Sequence, residues 1–482
     1  MAVLNQATST PMHHPGAHGQ FLLRAISVAS LILLCAVTSL IAFASRLIPF
    51  HFRAGKSPTL VFAKMLMPAF VWPLCWLSVL CAVAGFVLAY LVCRVRRRFG
   101  FACGLALILV IANMTCSVMA ARYIYRTVAA SRVDFSQAFG PGWRDRLSLR
   151  ATAAMLPRRW SPIPFHDPDP RVEKDVSFWT FPETNERLLA DLWLPPSTVQ
   201  PSGLAFLFFH GSGWHLGDKG IGMDPTFRHL TAQGHVVMDV AYRLAPEVDL
   251  LGMAGDVKRA VTWMKVNASR YKVDPNRIVL SGGSAGGQLA LLAAYTPGDP
   301  ELTPPELAAS DTSVRGVVSY YGPADMRAFV NHEMGKMMRS GIPAKKKVSF
   351  VDPKTHLPSG PITLEQMMFN VMGGMPEDLP HAYDLADVKS HVNSKTPPTL
   401  LFQGEIDSFV QTQAVRNLAG ALRAARVPVI YVEFPDTDHG FDIASAFTKL
   451  SGTHVPFDSQ FAPPTQAALY VLDRFLALME SN

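Results

Sequence analysis

The sequence predicts an α/β fold with a mostly parallel sheet and helices on both faces, preceded by three transmembrane helices. Three long apolar runs without charged residues come before residue 125. Beyond residue 175, short apolar runs of about four to eight residues alternate with amphipathic stretches. Loops of small residues follow several of these runs. Such alternation is typical of parallel strands joined by helical crossovers.

Composition places the apolar excess in the N-terminal quarter of the chain. The 482 residues are 49% hydrophobic and only 17% charged, whereas about 25% charged residues are usual in soluble domains. Most of this deficit lies before residue 125, which favours a membrane region. The net charge of +7 is not gathered on one helix or strand with interleaved aromatic residues, so nucleic acid is not expected as a partner.

Three spans have the length and composition of transmembrane helices. After an N-terminal tail, residues 1–24, they cover residues 25–45, 65–93 and 99–121. Each span lies between basic residues, contains no charged side chain and is at least about 20 residues long, as a helix needs to cross a bilayer. Buried helices of a soluble domain would need polar faces, which these spans lack. Pro68 and Pro73 predict a kink or a later helix start in the second span.

The first span also has features of a cleaved signal peptide. The sequence Ala42-Phe43-Ala44 resembles a cleavage site. However, the apolar stretch exceeds the usual length of about 7–15 residues, and Arg24 is the one basic residue that precedes it.

The densest basic cluster near the membrane runs from Arg94 to Arg98, and the positive-inside rule places it in the cytoplasm. Three spans, or a cleaved signal peptide, would each put the region after residue 122 on the non-cytoplasmic side.

All six cysteines lie between residues 35 and 116, within the apolar region. There they are expected to act as small hydrophobic residues. Residues 117–482 contain none, so neither a disulfide framework nor a thiolate metal site is expected in that region.

Residues 123–175 and 176–482 differ in their patterns. The first segment is rich in Arg and Pro (RRWSPIPFHDPDPR) and is predicted to be a juxtamembrane linker or part of a cap. The second begins with a hairpin, VSFWTF and LLADLWLP, and continues with buried strands. These strands are GLAFLFFHG, HVVMDVAYR, RIVLSGG, VRGVVSYYG, PTLLFQG and VIYVEFP. In such sheets, ligands bind beyond the carboxyl ends of the strands.

The turn after RIVL has the pattern G-x-S-x-G. The sequence Gly282-Gly283-Ser284-Ala285-Gly286 lies between a predicted strand and a predicted helix. This context places Ser284 on a sharp turn with its hydroxyl above the sheet. Packing alone is the alternative explanation, since glycines let such a turn run close to its neighbours. The strand before the turn and the helix after it favour a nucleophile.

A serine nucleophile needs a general base that is oriented by a carboxylate. On a sheet of this type the acid and the histidine follow the serine along the chain, each in a loop after a strand. EIDSFV follows PTLLFQG and offers Asp407, with Glu405 as the alternative. DTDHGFD follows VIYVEFP and offers His439, the best placed of fifteen histidines. The predicted catalytic set is therefore Ser284, Asp407 and His439.

An oxyanion hole is predicted after an early strand. FLFFHGSGW places Gly211 and Ser212 directly after a buried run. Their backbone amides, with that of Ala285 after the nucleophile, could bind the oxygen of a tetrahedral intermediate. An ordinary glycine turn is the alternative for this loop. The chemistry needs no metal or organic cofactor, and none is expected.

The stretches HGSGW, DVAYRLAPE, VDPNRIVLSGGSAGG, GEIDSFV and DHGFD together resemble the α/β-hydrolase superfamily. Within it they are most similar to hormone-sensitive-lipase-like and feruloyl-esterase-like carboxylesterases. The resemblance covers residues 176–482. It implies an α/β-hydrolase fold, with the catalytic set and the oxyanion-hole residues just named in those roles.

Two positions depart from the family pattern. Ser212 stands where relatives have the third residue of HGGG, and a side chain there can narrow the acyl site or strain the loop. Gly283 stands where relatives usually have an acidic or hydroxyl residue before the nucleophile. Neither departure removes a member of the catalytic set.

The segment 324–396, between VRGVVSYYG and PTLLFQG, is predicted to form a cap over the active site. It contains eight methionines, and methionine adapts to irregular apolar ligands. A hydrophobic acyl or aromatic substrate is one interpretation. The other is that these methionines fill the core of a small cap.

The combined pattern predicts a multi-pass membrane protein that is a serine hydrolase and cleaves a small-molecule or lipid ester through an acyl-enzyme. An acyltransferase would use the same residues, with another alcohol in place of water. A peptidase or amidase is less favoured, because the sequence shows no propeller domain or charged amine-binding pocket. An inactive receptor or scaffold would have no reason to keep all three catalytic groups in order.

Overall fold

The structure is a computed structural model. It describes residues 58–95, 100–163, 166–220, 222–351, 359–443 and 462–481, together with residues 33, 37 and 40. By its contacts the chain divides into two units. One comprises residues 1–46 and 73–121, and the other comprises residues 47–72 and 122–482.

Two long helices occupy the predicted membrane region. Helix α1 covers Pro58–Val95 and helix α2 covers Gly100–Ala130. The predicted transmembrane spans 65–93 and 99–121 are helical over their described residues, 65–93 and 100–121. That both cross a membrane stays a prediction. The predicted span 25–45 lies outside the described residues, apart from three single positions.

The prolines of α1 do not delay its start. The helix begins at Pro58, where the missing N–H of proline would have no partner in any case. It then continues through Pro68 and Pro73, so a later helix start is the wrong alternative. Within the described part of the chain, Met67–Val87 of α1 is the one helical segment long and apolar enough to cross a membrane.

In the first unit, α1 and α2 present many apolar side chains on their surface. Leu80, Phe86 and Ile108 expose 62%, 66% and 63% of their surface. Large exposed apolar patches are unusual on a soluble monomer and are suited to contact with lipid. Cys81 and Cys116 instead lie in a small buried apolar cluster, as expected for cysteines that act as hydrophobic residues.

Residues 131–163 lie before the sheet and form short helices. These are α3 (Phe135–Phe139), a 3-10 turn (Trp143–Arg146) and α4 (Leu149–Ala154). Asp134 and Ser148 cap α3 and α4 by accepting hydrogen bonds from backbone amides. Phe135, Trp143 and Leu156 are buried in a core that they share with the last helix of the chain.

Eight strands form one sheet in the order β1-β2-β4-β3-β5-β6-β7-β8. They are β1 (Arg171–Thr180), β2 (Arg187–Leu194), β3 (Ala205–Phe209), β4 (Val236–Val240), β5 (Ile278–Gly283), β6 (Gly316–Tyr320), β7 (Thr399–Gly404) and β8 (Val429–Phe434). β1 and β2 form the predicted hairpin, and β2 pairs antiparallel with β4. All other neighbouring strands are parallel. The prediction of a mostly parallel sheet is therefore confirmed.

Helices alternate with the strands along the chain. They are α5 (Asp224–Ala232), α6 (Leu250–Val266), α7 (Ala285–Tyr295), α8 (Met326–Asn331), α9 (Glu333–Met338), α10 (Leu364–Met372), α11 (Pro380–Ala386), α12 (Thr412–Ala424) and α13 (Pro463–Glu480). Single 3-10 turns lie at Pro305–Leu307 and Val388–His391.

The side chains of β3 show why this sheet is covered on both faces. Ala205, Leu207 and Phe209 lie in one hydrophobic core with α6 and α7. Phe206 and Phe208 lie in a second core with α5 and α13. Successive side chains of a strand point to opposite faces, so an uninterrupted apolar run needs a core on each side.

The predicted cap segment folds as the four short helices α8 to α11, between β6 and β7. Met326, Met368 and Met372 are buried in the same core as α7, which agrees with methionines that fill a core. Met337 is exposed, and Met334 packs in a separate small apolar cluster.

Candidate active site

Ser284 lies at the junction of β5 and α7, where the backbone has an unusual conformation. Its φ is 53° and its ψ is −119°, a combination that non-glycine residues rarely adopt. The serine is partly exposed, whereas the next residue, Ala285, is fully buried. A serine in this position presents its hydroxyl at the carboxyl end of the sheet, as the motif predicts.

Two glycines beside Ser284 are required by close backbone contacts. A Cβ on Gly286 would lie 2.0 Å from the carbonyl oxygen of Phe209. A Cβ on Gly282 would lie 2.4 Å from the carbonyl carbon of Gly286. Both distances are far shorter than the separation of about 3.5–4.0 Å that non-bonded carbon atoms prefer. The small residues around the serine therefore let β3, β5 and α7 meet at this turn.

His439 and Asp407 lie beside Ser284. The distance from His439 Nε2 to Ser284 Oγ is 2.9 Å, and the distance from His439 Nδ1 to Asp407 Oδ2 is also 2.9 Å. Because an ionised carboxylate only accepts, Nδ1 carries the ring proton and Nε2 of the neutral ring accepts from the serine hydroxyl. The structure thus joins the three predicted residues in one hydrogen-bonded series after β5, β7 and β8.

The carboxylate of Asp407 is buried and hydrogen bonded at both oxygens. Oδ1 accepts from the backbone amides of Phe409 and Val410, each at 2.8 Å. Oδ2 accepts from Gln403 Nε2 at 2.9 Å as well as from His439. These bonds fix the plane of the carboxylate and therefore the orientation of the imidazole.

Glu405, the alternative acid, has a different position. Its Oε2 accepts from the backbone amide of Asp436 at 3.0 Å. The structure therefore places Asp407 beside the histidine, whereas Glu405 binds the backbone of the loop after β8.

The loop after β3 passes close to the nucleophile. A Cβ on Gly211 would lie 3.0 Å from the carbonyl oxygen of Gly283 and 3.3 Å from Ser284 Cβ. Ala285 is the first residue of α7, and the first amides of a helix have no partner within it. The structure thus brings Gly211 and Ala285, two of the predicted amide donors, to the neighbourhood of Ser284.

The third predicted donor, Ser212, has the strained backbone that its departure from HGGG leads one to expect. The φ angles of Ser212 and Trp214 are 87° and 63°, and such conformations cost about 1–3 kcal/mol each. Packing compensates for this cost. Trp214 is buried against Phe329 of the cap, with ring centroids 5.5 Å apart, and the Tyr242 hydroxyl donates to the His210 carbonyl at 2.9 Å.

Part of the chain is similar to known proteins. Residues 190–422 match the BD-FAE family model. LipM, a probable carboxylic ester hydrolase of Mycobacterium tuberculosis, is 30% identical over 277 residues, which are 56% of this chain and 56% of LipM. The esterase LipQ of the same organism is 28% identical over 339 residues, which are 66% of this chain and 72% of LipQ. This region of the chain is carboxylesterase-like.

Solved structures are also similar to part of the chain. An esterase from Thermogutta terrifontis with bound butyrate is 23% identical and has a TM-score of 0.42, covering 57% of this chain and 86% of its own. The chain spans little more than half the length of LipM, one of the curated relatives that it matches.

A tyrosine–aspartate pair packs against His439 in the carboxylesterase-like domain. The ring of Tyr321 lies 4.5 Å from that of His439, and its hydroxyl donates to Asp442 Oδ1. Burial raises the pKa of Asp442 to about 6, although the hydrogen bond from Tyr321 lowers it. The sequence reasoning missed both residues. Their signals, a tyrosine after a strand and a second aspartate in DHGFD, are common in loops.

Asp438 is a further residue that the sequence reasoning missed. Its Oδ1 accepts from the Ser408 amide, the Ser408 hydroxyl and the His439 amide, each at 2.8 Å. Because Ser408 directly follows Asp407, this carboxylate joins the loop of the acid to the loop of the histidine. An aspartate before a histidine is equally typical of a solvated turn, so the sequence alone did not distinguish it.

His215 connects the loop after β3 to the cap. Its Nδ1 donates to the Gly213 carbonyl at 2.8 Å, and its Nε2 accepts from Asn370 Nδ2 at 3.1 Å. The Asn370 amide is oriented by Val348, whose backbone N–H donates to Oδ1. Burial lowers the pKa of His215, which agrees with a neutral ring. The cap is therefore hydrogen bonded to the loop that contains Gly211 and Ser212.

The groups at Ser284 are suited to proton transfer. They are one imidazole and the buried carboxylates of Asp407, Asp438 and Asp442, each with hydrogen-bond donors from the protein. Within the described ranges, no group of three or more His, Cys, Asp or Glu side chains is placed to hold a metal ion. An imidazole within hydrogen-bonding reach of a hydroxyl is the arrangement that general base catalysis needs.

Proposed function

We propose that this chain is a membrane-anchored serine hydrolase that cleaves carboxylic esters through an acyl-enzyme. The main support is the hydrogen-bonded series Ser284–His439–Asp407, with two bonds of 2.9 Å. A serine hydroxyl is a weak nucleophile unless an adjacent base takes its proton. Here Ser284 is partly exposed, while the base and the carboxylate that orients it are buried.

In the proposed reaction, His439 Nε2 takes the proton of Ser284 as Oγ attacks the carbonyl carbon of the ester. The new carbon–oxygen bond forms while the carbonyl π electrons move to the oxygen, which becomes an oxyanion. Asp407 stabilises the imidazolium and does not itself accept the proton. Collapse of the intermediate breaks the bond to the alcohol oxygen, which leaves with the proton of His439. Water, activated by the same histidine, then releases the acid from Ser284.

The backbone amides of Gly211, Ser212 and Ala285 form the oxyanion hole in this proposal. The close approach of Gly211 to Ser284 and the position of Ala285 at the start of α7 support it. The N-terminus of a helix also stabilises negative charge. Loss of one such donor typically lowers kcat by about 10²- to 10³-fold.

A small-molecule or lipid ester is the proposed substrate, and the bilayer is the proposed setting. Similarity to proteins named as ester hydrolases supports the first part. The apolar segment Met67–Val87 and the exposed apolar side chains of α1 and α2 support the second. We extend this to three transmembrane spans, with the catalytic domain on the non-cytoplasmic side because of the basic cluster from Arg94 to Arg98.

Hydrolysis of p-nitrophenyl esters of increasing chain length by the detergent-solubilised protein tests the proposal. Ser284→Ala should lower kcat by about 10³-fold or more, as expected for the loss of a triad nucleophile. Ser281→Ala is a matched control, because this buried hydroxyl lies on the same strand and has no hydrogen-bond partner among the described residues. It should retain wild-type activity.

Two results would contradict the proposed function. Equal activity of the wild type and Ser284→Ala would exclude Ser284 as the nucleophile. Folded wild-type protein without activity over the whole series would favour the inactive scaffold, unless added alcohols restore ester turnover, in which case the protein is an acyltransferase.

A further inference from the structure

The first part of α1 belongs to the unit that contains the candidate triad. Contacts group residues 47–72 with residues 122–482. Within this unit, the rings of Trp72 and Trp160 meet edge to face with centroids 5.2 Å apart, and Ala69 is buried beside Ala462. The segment that leads into the apolar stretch Met67–Val87 is therefore packed on the carboxylesterase-like domain.

Two consecutive residues of this segment contact the loops of the catalytic acid and base. Lys64 Nζ lies 3.4 Å from Asp438 Oδ2, and the two side chains are only 5% and 2% exposed. Met65 packs beside Phe409, and its Cε lies 2.5 Å from where a Cβ on Gly440 would be. Phe409 lies in the loop of the acid, two residues after Asp407, and Gly440 directly follows His439.

The two oxygens of the Asp438 carboxylate have separate partners. Oδ1 accepts the three hydrogen bonds from Ser408 and His439. Oδ2 makes no hydrogen bond with the residues that the structure describes and faces the Lys64 ammonium. A buried carboxylate is costly unless a positive charge and hydrogen bonds compensate for its lost hydration. Lys64 supplies a positive charge, so the bonding that joins the two loops depends on a residue of α1.

This ion pair is a feature of this chain beyond the matched family region. The family model matches residues 190–422, and Lys64 lies well before them. The strands, the elbow and the Asp407–His439 bond are all built from residues after 170. A buried lysine from a helix that precedes the sheet therefore pairs with Asp438, the residue before His439.

We propose that Lys64 is a positioning residue for the catalytic triad, acting through Asp438 on the acid and histidine loops. The inference rests on the proposed function, because it assigns these loops a role in catalysis. In this account, the helix that enters the candidate membrane span also completes the active site. Packing of α1 on the domain then sets the geometry of His439 relative to Ser284.

Four full-length variants in detergent test this role. They are Lys64→Met, Lys64→Arg, the double variant Lys64→Met/Asp438→Asn, and Lys265→Met as a matched control. The ion pair of Lys265 with Asp311 involves neither loop. For each variant we would measure kcat and KM for a p-nitrophenyl ester, the melting temperature, and the rate at which a fluorophosphonate probe labels Ser284.

Lys64→Met should lower kcat and the labelling rate by about 10- to 100-fold, as expected for a small displacement of catalytic groups, with KM near the wild-type value. Lys64→Arg should retain most of the activity because it keeps the charge. The double variant should recover most of the loss, since an asparagine amide needs no counter-charge and its oxygen still accepts from the two loops. Lys265→Met should behave like the wild type.

Other outcomes would overturn the inference. If Lys64→Met and Lys265→Met have the same kcat, the ion pair does not act on the triad. If Lys64→Met and the double variant lose activity and melting temperature together, Lys64 has only a structural role. If the wild type hydrolyses no ester, the proposed reaction fails, but the labelling rate of Ser284 still shows whether Lys64 positions its base.

Discussion

Among the residues that the structure describes, two buried histidines each have a ring nitrogen beside a buried aspartate carboxylate. In one, His439 Nδ1 lies 2.9 Å from Asp407 Oδ2. In the other, His229 Nε2 of α5 lies 3.1 Å from Asp473 Oδ1 of α13. Both carboxylates are fully buried and accept further hydrogen bonds from backbone amides and a glutamine.

The pairs differ in what the second ring nitrogen of the histidine contacts. In His439 it lies 2.9 Å from the Ser284 hydroxyl. In His229 it lies 3.1 Å from a second carboxylate, that of Asp167. Burial alone would lower the pKa of His229, but the carboxylates of Asp473 and Asp167 raise it to about 10. His229 is therefore a cation at neutral pH, whereas His439 is placed to take a proton from a hydroxyl.

This comparison shows that an aspartate–histidine contact does not by itself indicate catalysis. The Asp473 pair attaches a segment to the fold, since Asp473 Oδ2 also accepts from the Leu156 amide at 2.7 Å. The Asp407 pair orients a base toward a partly exposed nucleophile. Mutation should therefore affect activity at one pair and stability at the other.

The largest expected effect is on activity at the Asp407 pair. Asp407→Asn keeps the size of the side chain but favours the wrong tautomer of His439, so kcat should fall by about 10⁴-fold, while the melting temperature changes little. Glu405→Gln is the matched control and should retain nearly full activity. Steady-state kinetics on the same ester checks both, and a larger loss in Glu405→Gln would reverse their assignments.

The second effect is on stability at the Asp473 pair. His229→Gln leaves two buried carboxylates without their cation, which should lower the free energy of unfolding by about 3–5 kcal/mol. The kcat of the folded variant should stay near that of the wild type. His381→Gln, which removes an exposed ion pair with Glu301, should change stability by at most about 1 kcal/mol.

The pH dependence of the free energy of unfolding of the same variant tests whether His229 is protonated. Because the pKa of His229 is about 10 in the folded protein and about 6.5 in an unfolded chain, its contribution is complete below pH 6.5 and is lost as the pH rises through 10. The wild type should therefore lose stability relative to His229→Gln between pH 7 and pH 10. A constant difference over this range would contradict a protonated His229.

A smaller effect is expected at Asp442, the carboxylate behind Tyr321. Its pKa of about 6 in the folded protein lies above its unfolded value of about 3.9, so the stability that it contributes is present at low pH and lost as the pH rises through 6. When the pH is raised from 4.5 to 7.5, the free energy of unfolding of Asp442→Asn should increase by about 1–2 kcal/mol relative to that of the wild type. Chemical denaturation at the two pH values measures this change, and an opposite sign would show that the carboxylate is ionised and stabilising.

The three residues of the candidate triad could be selected from the sequence because each has a local signal. Ser284, Asp407 and His439 all follow buried apolar runs, and the turns after them contain glycine or aspartate. The alternation of apolar runs and amphipathic stretches likewise predicted the strands and the parallel sheet. In each case a short window of sequence determines the structure, through strand burial or the backbone geometry of a turn.

Residues whose role depends on distant partners could not be predicted. His229 lies on a helix without a turn signal. Its role depends on contacts with Asp473 and Asp167, which are far away in the chain. In the sequence, Lys64 is one of several basic residues that lie at the ends of apolar spans. Its burial against Asp438 arises from the packing of α1 on the domain, which no local pattern encodes.

We propose that Ser284 forms an acyl-enzyme during ester hydrolysis. Acid quenching of the protein during turnover of p-nitrophenyl butyrate, followed by mass spectrometry of the peptides, would detect this intermediate. We expect a butyryl group on the peptide that contains Ser284, and its absence in His439→Ala. Turnover without acylation of this peptide, or a butyryl group on another residue, would contradict it.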